Sequence, residues 1–411
     1  MKQRLAYISL FFIVVFLIFV FQKPFFMVYN DVIEKGLDWT DCLQVMFHAG
    51  SLDATTAGYL TALPFLMVLI SIWVKKFPLR KILLPYYIIA SLLVAVVFVV
   101  DMGLYPFWGF KLDASIFLYL DSPKEAMASV SFGFILLRVV AMLMLTTFYV
   151  WLMCKVTPHQ LEVTAKRIGG TLGMLFLGGI LFIIIRGGVT ESTSNVGQVY
   201  FSNNQFLNHS AVNPCFSLLS SMGKSKDFAS EFNFFEEEKR AKLVEGLYPT
   251  SDGDSLKQVL TTNRPNVLLI LMEGFGGAFI EPLGGLPDVA PNLNRLSEEG
   301  IFFTHCYANS FRTDRGTVCA LSGYLGLPTV SVMKIPTKSR TLPAISEELV
   351  KAGYQTDFLY GGDINFTNMK SYLLSKGYQH LTADTDFSLA ERSSNVWGVN
   401  DDITSEWLLE Q

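Results

Sequence analysis

Two stretches of this chain carry side chains able to hold a cation or to attack an electrophile. In the first, the apolar run Val267–Met272 ends at Glu273, and Gly274, Gly276 and Gly277 follow. A continuous apolar run of strand length fits a strand buried on both faces of a parallel sheet. Ligands of open α/β sheets bind beyond the carboxyl ends of such strands. A carboxylate there, among glycines that allow close backbone approach, is placed to hold a cation. The alternative is a surface Glu that caps the next helix. In the second stretch, Asn309-Ser310-Phe311-Arg312 leads into Thr313, Asp314 and Arg315, then into a small-residue helix that stops at Gly323. A hydroxyl at a helix N-terminus faces the positive end of the dipole, which suits an anion or an attacking alkoxide. An ordinary Thr N-cap is the other reading, and on spacing alone it is the commoner one.

The elements that must position these groups alternate. After Arg264-Pro265-Asn266, the pattern predicts a strand over Val267–Met272, a helix over Pro291–Gly300, a second strand at Ile301–Thr304 and the helix ending at Gly323. An amphipathic segment Leu342–Ala352, a third strand Thr356–Tyr360 closing on Gly361-Gly362-Asp363, and a helix Phe366–Lys376 follow. Strand and helix in alternation argue for a doubly wound α/β domain.

The first half of the chain is different. Of 411 residues, 51% are hydrophobic and only 17% charged, and the mean hydropathy is +0.38; soluble domains average about 25% charged. The net charge of −4 gives no reason to expect a nucleic-acid partner. The segments Leu5–Phe21, Tyr59–Val74, Ile82–Val100, Ser129–Cys154 and Ile168–Ile185 are each apolar enough to cross a bilayer. The first is no signal peptide, because Gln22-Lys23-Pro24-Phe25 offers no small-residue cleavage site. Lys2 and Arg4, then Lys75, Lys76, Arg80 and Lys81, then Lys155, Lys166 and Arg167 lie in alternate loops, whereas the intervening loops lean acidic. This bias places the N-terminus in the cytoplasm and everything after Arg186 outside it. Arg138 within the fourth span and Asp53 ahead of the second have two readings each: functional intramembrane charge, or interfacial and loop residues. The five cysteines form no C-x-x-C pair, and a disulfide among the outward-facing ones is an open expectation. Within the connecting stretch, Phe228–Gly246 predicts a surface helix and Asp252–Ser255 a linker. The expected organisation is a five-helix transmembrane domain over 1–186, an extracytoplasmic arm over 187–262 and an α/β domain over 263–411.

Together these features resemble the sulfatase/alkaline-phosphatase superfamily, and within it the lipoteichoic acid synthase-like membrane branch. Arg264–Glu273 resembles the family's first strand and its metal-binding acid, and Ala290–Gly300 resembles the helix that follows in sulfatases. Thr313 lies ten residues before Gly323, as the sulfatase nucleophile lies ten before its own glycine, which leaves Ser310 and Thr317 as weaker candidates. The resemblance implies Thr313 as nucleophile, Glu273 and Thr313 as ligands of a divalent metal (Mn2+, with Mg2+ or Zn2+ as alternatives), and Arg312 or Arg315 as a phosphate clamp. It departs from true sulfatases in having Thr where a Cys or Ser is oxidised to formylglycine, with Arg315 in the Pro position and Thr317 in the Arg position. That pattern resembles the phosphoglycerol and phosphoethanolamine transferases. The family's downstream Asp-His metal pair has no counterpart: His380 is the one histidine after Thr313, it follows Gln379, and Asp401-Asp402 precedes Ile403. Because the pattern breaks off mid-helix at Gln411, the α/β domain is expected to be incomplete at its C-terminus and the chain as given to be inactive. Where lipoteichoic acid synthases contact glycerol phosphate through Trp-x-Arg, this chain has Thr367 and Met369, which implies a different head group or acceptor. The expected function is a membrane-anchored transferase of the bacterial plasma membrane, with a phospholipid donor and an envelope glycan or lipid acceptor. The alternatives are a phosphodiesterase or other hydrolase, and a catalytically silent binding module. Oligomeric state is not legible.

Overall fold

The computed structural model describes residues 1–30, 36, 38–114, 116–117, 132–164, 166–190, 192–222, 233–245, 260–328, 330–393 and 395–411. It divides into two compact units, one of Met1–Lys224 with Val318–Gln411 and one of Ser225–Thr317.

The first unit begins with five helices, each long and apolar enough to cross a membrane: α1 (Lys2–Asn30), α2 (Trp39–Ser71), α3 (Leu79–Trp108), α4 (Phe132–Val156) and α5 (Arg167–Arg186). They match the five apolar segments of the sequence and are compatible with a membrane protein. Their shared core holds Phe11, Val15 and Phe19 of α1, Val68 of α2, Leu83 and Tyr87 of α3, Met153 of α4 and Met174 of α5. The N-terminal end of α1 is tied down by polar contacts. The Arg4 guanidinium donates to Ser71 Oγ at 3.0 Å, Ser71 O at 2.8 Å and Glu162 O at 2.7 Å. Beside it, β1 (Lys76–Phe77) pairs antiparallel with β2 (Leu161–Glu162). At its other end α5 stops on Gly187, whose φ of +94° belongs to the left-handed region. A Cβ there would lie 2.3 Å from Ser194 Oγ.

Helices α1 and α2 run past the apolar segments that announced them, because polar residues continue them and find partners inside. Asp53, which one sequence reading left in a loop, lies within α2 and is fully buried. Its Oδ1 is 3.0 Å from Lys23 Nζ of α1 and accepts from Asn213 Nδ2 at 2.8 Å. Asn213 immediately precedes α7 (Pro214–Met222), which follows α6 (Gln205–Ala211); its Oδ1 accepts from Cys215 N and Phe216 N at 3.0 and 3.1 Å, an N-cap. One side chain therefore starts a helix of the arm and binds the bundle. Around it, Phe26, Leu52, Phe98 and Tyr105 of the bundle pack with Val199, Phe206, Leu207 and Phe216 of the arm. Lys111 forms an ion pair with Asp101 and sits 3.6 Å from the Phe26 ring centroid.

His209 of α6 has Nδ1 3.0 Å from the Tyr105 hydroxyl. Burial, with Arg340 and Lys111 adding to it, holds its ring down at about 3 from the usual 6.5. The folded protein keeps His209 neutral while the unfolded chain protonates it, so stability is full above about pH 6.5 and is lost progressively toward pH 3. At pH 5 the loss from this residue approaches ~2 kcal/mol, a few degrees of melting temperature. His209→Gln is expected to flatten the melting-temperature profile between pH 7.5 and 5 in detergent solution; a variant that tracks the native profile would remove His209 as its source.

The remainder of the first unit contains α11 (Ile345–Lys351), β3 (Asp357–Leu359), α12 (Met369–Ser375), β4 (His380–Thr382) and α13 (Asp401–Glu410). Strand β3 pairs in parallel with β4, Asp357 opposite His380 and Leu359 opposite Thr382. Val318, Leu321, Met333, Ile364, Tyr372 and Leu373 form the core beneath them. The arm docks here too: Asn195 Nδ2 donates to Asn365 O at 2.8 Å, and Gly197 N donates to Asn368 Oδ1 at 3.2 Å.

The second unit contains α8 (Glu237–Glu245) and α9 (Pro291–Glu299). The expected surface helix Phe228–Gly246 survives as the exposed α8; residues 228–232, 246 and the expected linker Asp252–Ser255 lie outside the described residues. Two expectations are corrected. Val267–Met272 is extended but pairs with no strand among the described residues, and its side chains are 45% to 67% exposed rather than buried. Ile301–Thr304 forms no strand either. A strand exists only through lateral hydrogen bonds, and neither run meets a described neighbour that supplies them.

Candidate active site

Thr313 opens α10 (Thr313–Ser322), and Gly323, at φ +63°, closes it. The residue that caps this helix is Arg312. Its carbonyl accepts from Arg315 N at 3.2 Å and Gly316 N at 3.0 Å, which makes it the N-cap. Thr313 is thus the first residue inside the helix, and the N-cap reading of its hydroxyl is set aside. That hydroxyl has no hydrogen-bond partner among the described residues. Arg312 has φ +72°, a left-handed conformation that costs an L residue other than glycine on the order of 1 kcal/mol and clusters at functional sites. The turn it makes leaves the Thr313 side chain at the positive end of the dipole.

Both arginines expected to hold phosphate flank the same ring: the guanidinium carbons of Arg315 and Arg312 lie 4.6 and 6.0 Å from the Phe311 centroid. Both cationic forks therefore lie against Phe311, two residues before Thr313. The weaker nucleophile candidates are placed worse. Thr317 is buried at 3% exposure, and Ser310 Oγ donates to Phe311 O at 3.4 Å.

Glu273 is exposed and precedes Gly274, which turns the chain at φ +66°. No hydrogen bond joins it to Thr313 among the described residues. Nor do any three His, Cys, Asp or Glu side chains of the described residues converge as a metal site. The residues present therefore do not make up the ligand set that the resemblance implies; Glu273 and Thr313 are two donors, and His380 lies on β4 against Asp357. The five cysteines are free, so the structure forms none of the disulfides left open by the sequence.

The Thr367–Met369 stretch has two successive residues at positive φ, Thr367 at +59° and Asn368 at +65°. Asn368 donates to Lys334 O at 3.2 Å and receives Gly197 N, so it anchors the arm. Sequence reasoning missed this role, and it missed Lys23, which entered only as part of Gln22-Lys23-Pro24-Phe25. Asp53 in the neighbouring helix was the available signal.

Residues 265–411 match the family model described as Sulfatase, so the C-terminal region carries a sulfatase-like domain. Over 128 residues the chain is 30% identical to an ulvan-active sulfatase of Formosa agariphila, which covers 28% of this chain and 21% of that protein. A crystal structure of a protein in the alkaline phosphatase superfamily from Vibrio parahaemolyticus is 34% identical where matched, covers 32% of this chain and 31% of its own, and has a TM-score of 0.30. The chain thus spans about a fifth of the curated relative and under a third of the solved one.

Proposed function

We propose that the protein is a membrane-anchored phospho-head-group transferase that uses Thr313 as its nucleophile. The observation that carries this reading is the Thr313 hydroxyl, unengaged in capping, at the start of α10 behind a left-handed Arg312. The five apolar helices support it, because they are long and apolar enough to anchor the chain in a membrane, where a lipid donor is found. Threonine is not the precursor of the sulfatase aldehyde, which turns the reading from sulfate ester to phosphate ester.

In the first step the Thr313 oxygen attacks the phosphorus of a phospholipid head group. A bond from oxygen to phosphorus forms, the bond to the diacylglycerol oxygen breaks, and diacylglycerol leaves with the proton. An acceptor hydroxyl of an envelope glycan or lipid then displaces Thr313, completing a double displacement. Arg312 and Arg315 match the planar, bidentate demands of phosphate oxygens. A divalent cation, manganese by the resemblance and magnesium or zinc otherwise, belongs to the proposal, with Glu273 and Thr313 among its ligands. The chemistry is assigned to the extracytoplasmic face of the plasma membrane, with the N-terminus in the cytoplasm.

The complete protein in vesicles of head-group-labelled phosphatidylglycerol or phosphatidylethanolamine tests this directly. Without acceptor, label is expected on Thr313 as a phosphate ester, and sustained diacylglycerol release is expected only when an acceptor is added. Steady release into water alone would make the protein a hydrolase. No label and no release would leave a silent module.

A further inference from the structure

Arg138 is the one arginine of α4, and it does not sit where an arginine is comfortable. It lies six residues into the helix, about 9 Å from its start, between Leu136, Leu137, Val139 and Val140, all exposed on the flank of the bundle. Its guanidinium donates from Nη1 to Phe134 O at 3.3 Å and from Nη2 to the Tyr29 hydroxyl. It stacks 3.1 Å from the Phe134 centroid. Among the described residues it has no carboxylate partner. An arginine carries five N–H donors, and among the described residues only these two bonds engage them.

Three helices contribute to this place, each near the end that bears the arm. Tyr29 is the penultimate residue of α1, and Gly103 stands five residues before the end of α3. Gly103 is what lets the guanidinium lie against α3, since a Cβ there would come within 2.9 Å of Arg138 Nε. The result is a shallow seat with a glycine floor, a tyrosine hydroxyl at one side and a cation with unused donors. In hydrocarbon such a cation is expensive, and it is relieved by an anion whose oxygens match the guanidinium fork.

We propose that Arg138, Tyr29 and Gly103 form a seat for the phosphodiester of a membrane phospholipid at the arm-bearing end of the bundle. The lipid source follows from the position: the flank around the seat is apolar and faces acyl chains, so the phosphate arrives with its tails. This inference shares with the transferase reading only the placement of α1–α5 in a membrane. It gives a phospholipid a docking point that does not depend on Thr313.

The test is lipid binding without turnover. The complete protein in detergent micelles is titrated with phosphatidylglycerol, with diacylglycerol and with inorganic phosphate, and bound lipid is counted by native mass spectrometry. Phosphatidylglycerol is expected to bind about tenfold more weakly to Arg138→Gln, the loss of one charge-assisted contact. Gly103→Leu keeps the charge and the fold of Arg138 but lifts the guanidinium from its seat, and it is expected to weaken binding severalfold. Diacylglycerol, which has the tails and no phosphate, is expected to bind equally weakly to all three proteins. Unchanged phosphatidylglycerol affinity in both variants overturns the proposal, as does tight diacylglycerol binding. Displacement by millimolar inorganic phosphate would make the seat a free-anion site and would equally overturn it. Repeating the titration in Thr313→Ala separates the two readings, because the seat is expected to bind as before.

Discussion

Replacing Thr313 with Ala in the complete protein is expected to abolish head-group transfer, with turnover falling on the order of 10^3-fold or more. The size follows from the lack of a substitute nearby. Thr317 lies one turn further along α10 and is buried, and the Ser310 hydroxyl is engaged with the Phe311 carbonyl. Because Arg312 rather than Thr313 supplies the N-cap carbonyl, the substitution removes no cap, and α10 is expected to fold unchanged. Thr313→Ser keeps a hydroxyl at the same atom and is expected to retain a measurable fraction of the rate. Arg312 needs a different exchange: Arg312→Gly removes the guanidinium while relieving the left-handed backbone, so a rise in KM with kcat little changed would mark the guanidinium as a phosphate contact. Release of labelled diacylglycerol in the presence of acceptor measures all three. An alanine variant with native turnover would remove Thr313 from the chemistry.

What the sequence made legible divides along a physical line. The five apolar helices were readable because length and continuous hydropathy are local properties, fixed by a bilayer's thickness. Their ends were not, because Gln22 and Lys23 continue α1 and Asp53 continues α2 with partners supplied by other helices or the arm. Thr356–Tyr360 was readable as a strand, and β3 is one, because its parallel neighbour β4 follows within the same short stretch. Val267–Met272 has an even clearer apolar pattern, yet it pairs with nothing among the described residues. Pattern reports which side chains favour burial, whereas pairing requires another chain segment beside it. The same holds at the candidate site. The helix from Thr313 to the stop at Gly323 was visible in residue types, but the backbone of Arg312 decides whether Thr313 caps the helix or leaves its hydroxyl unengaged. No spacing rule encodes that angle.

The second large effect is expected at the ion pair of Lys23 and Asp53. Both side chains are at most 2% exposed, so each neutralises a charge that has no access to water. Asp53→Leu leaves the Lys23 ammonium with Val212 O at 3.4 Å as its remaining contact, and Lys23→Met leaves the Asp53 carboxylate with Asn213 alone. Each single replacement is expected to cost about 3–5 kcal/mol, the penalty of an uncompensated buried charge. The double replacement Lys23→Met with Asp53→Leu removes both charges and is expected to regain most of that loss, since apolar side chains in place of a buried pair are often neutral or better. Thermal unfolding in detergent of the four proteins closes the cycle; single variants as stable as the native protein would contradict the burial of the pair. The double variant still lacks one thing, because no carboxylate remains for Asn213 Nδ2. Asn213 continues to cap α7 through its Oδ1, so the helix persists while its tie to α2 is lost. Limited proteolysis is therefore expected to cut the arm over residues 205–222 faster in the double variant than in the native protein, even at equal melting temperature. Equal rates would mean that the apolar contacts of Phe206, Leu207 and Phe216 hold the arm without the carboxylate.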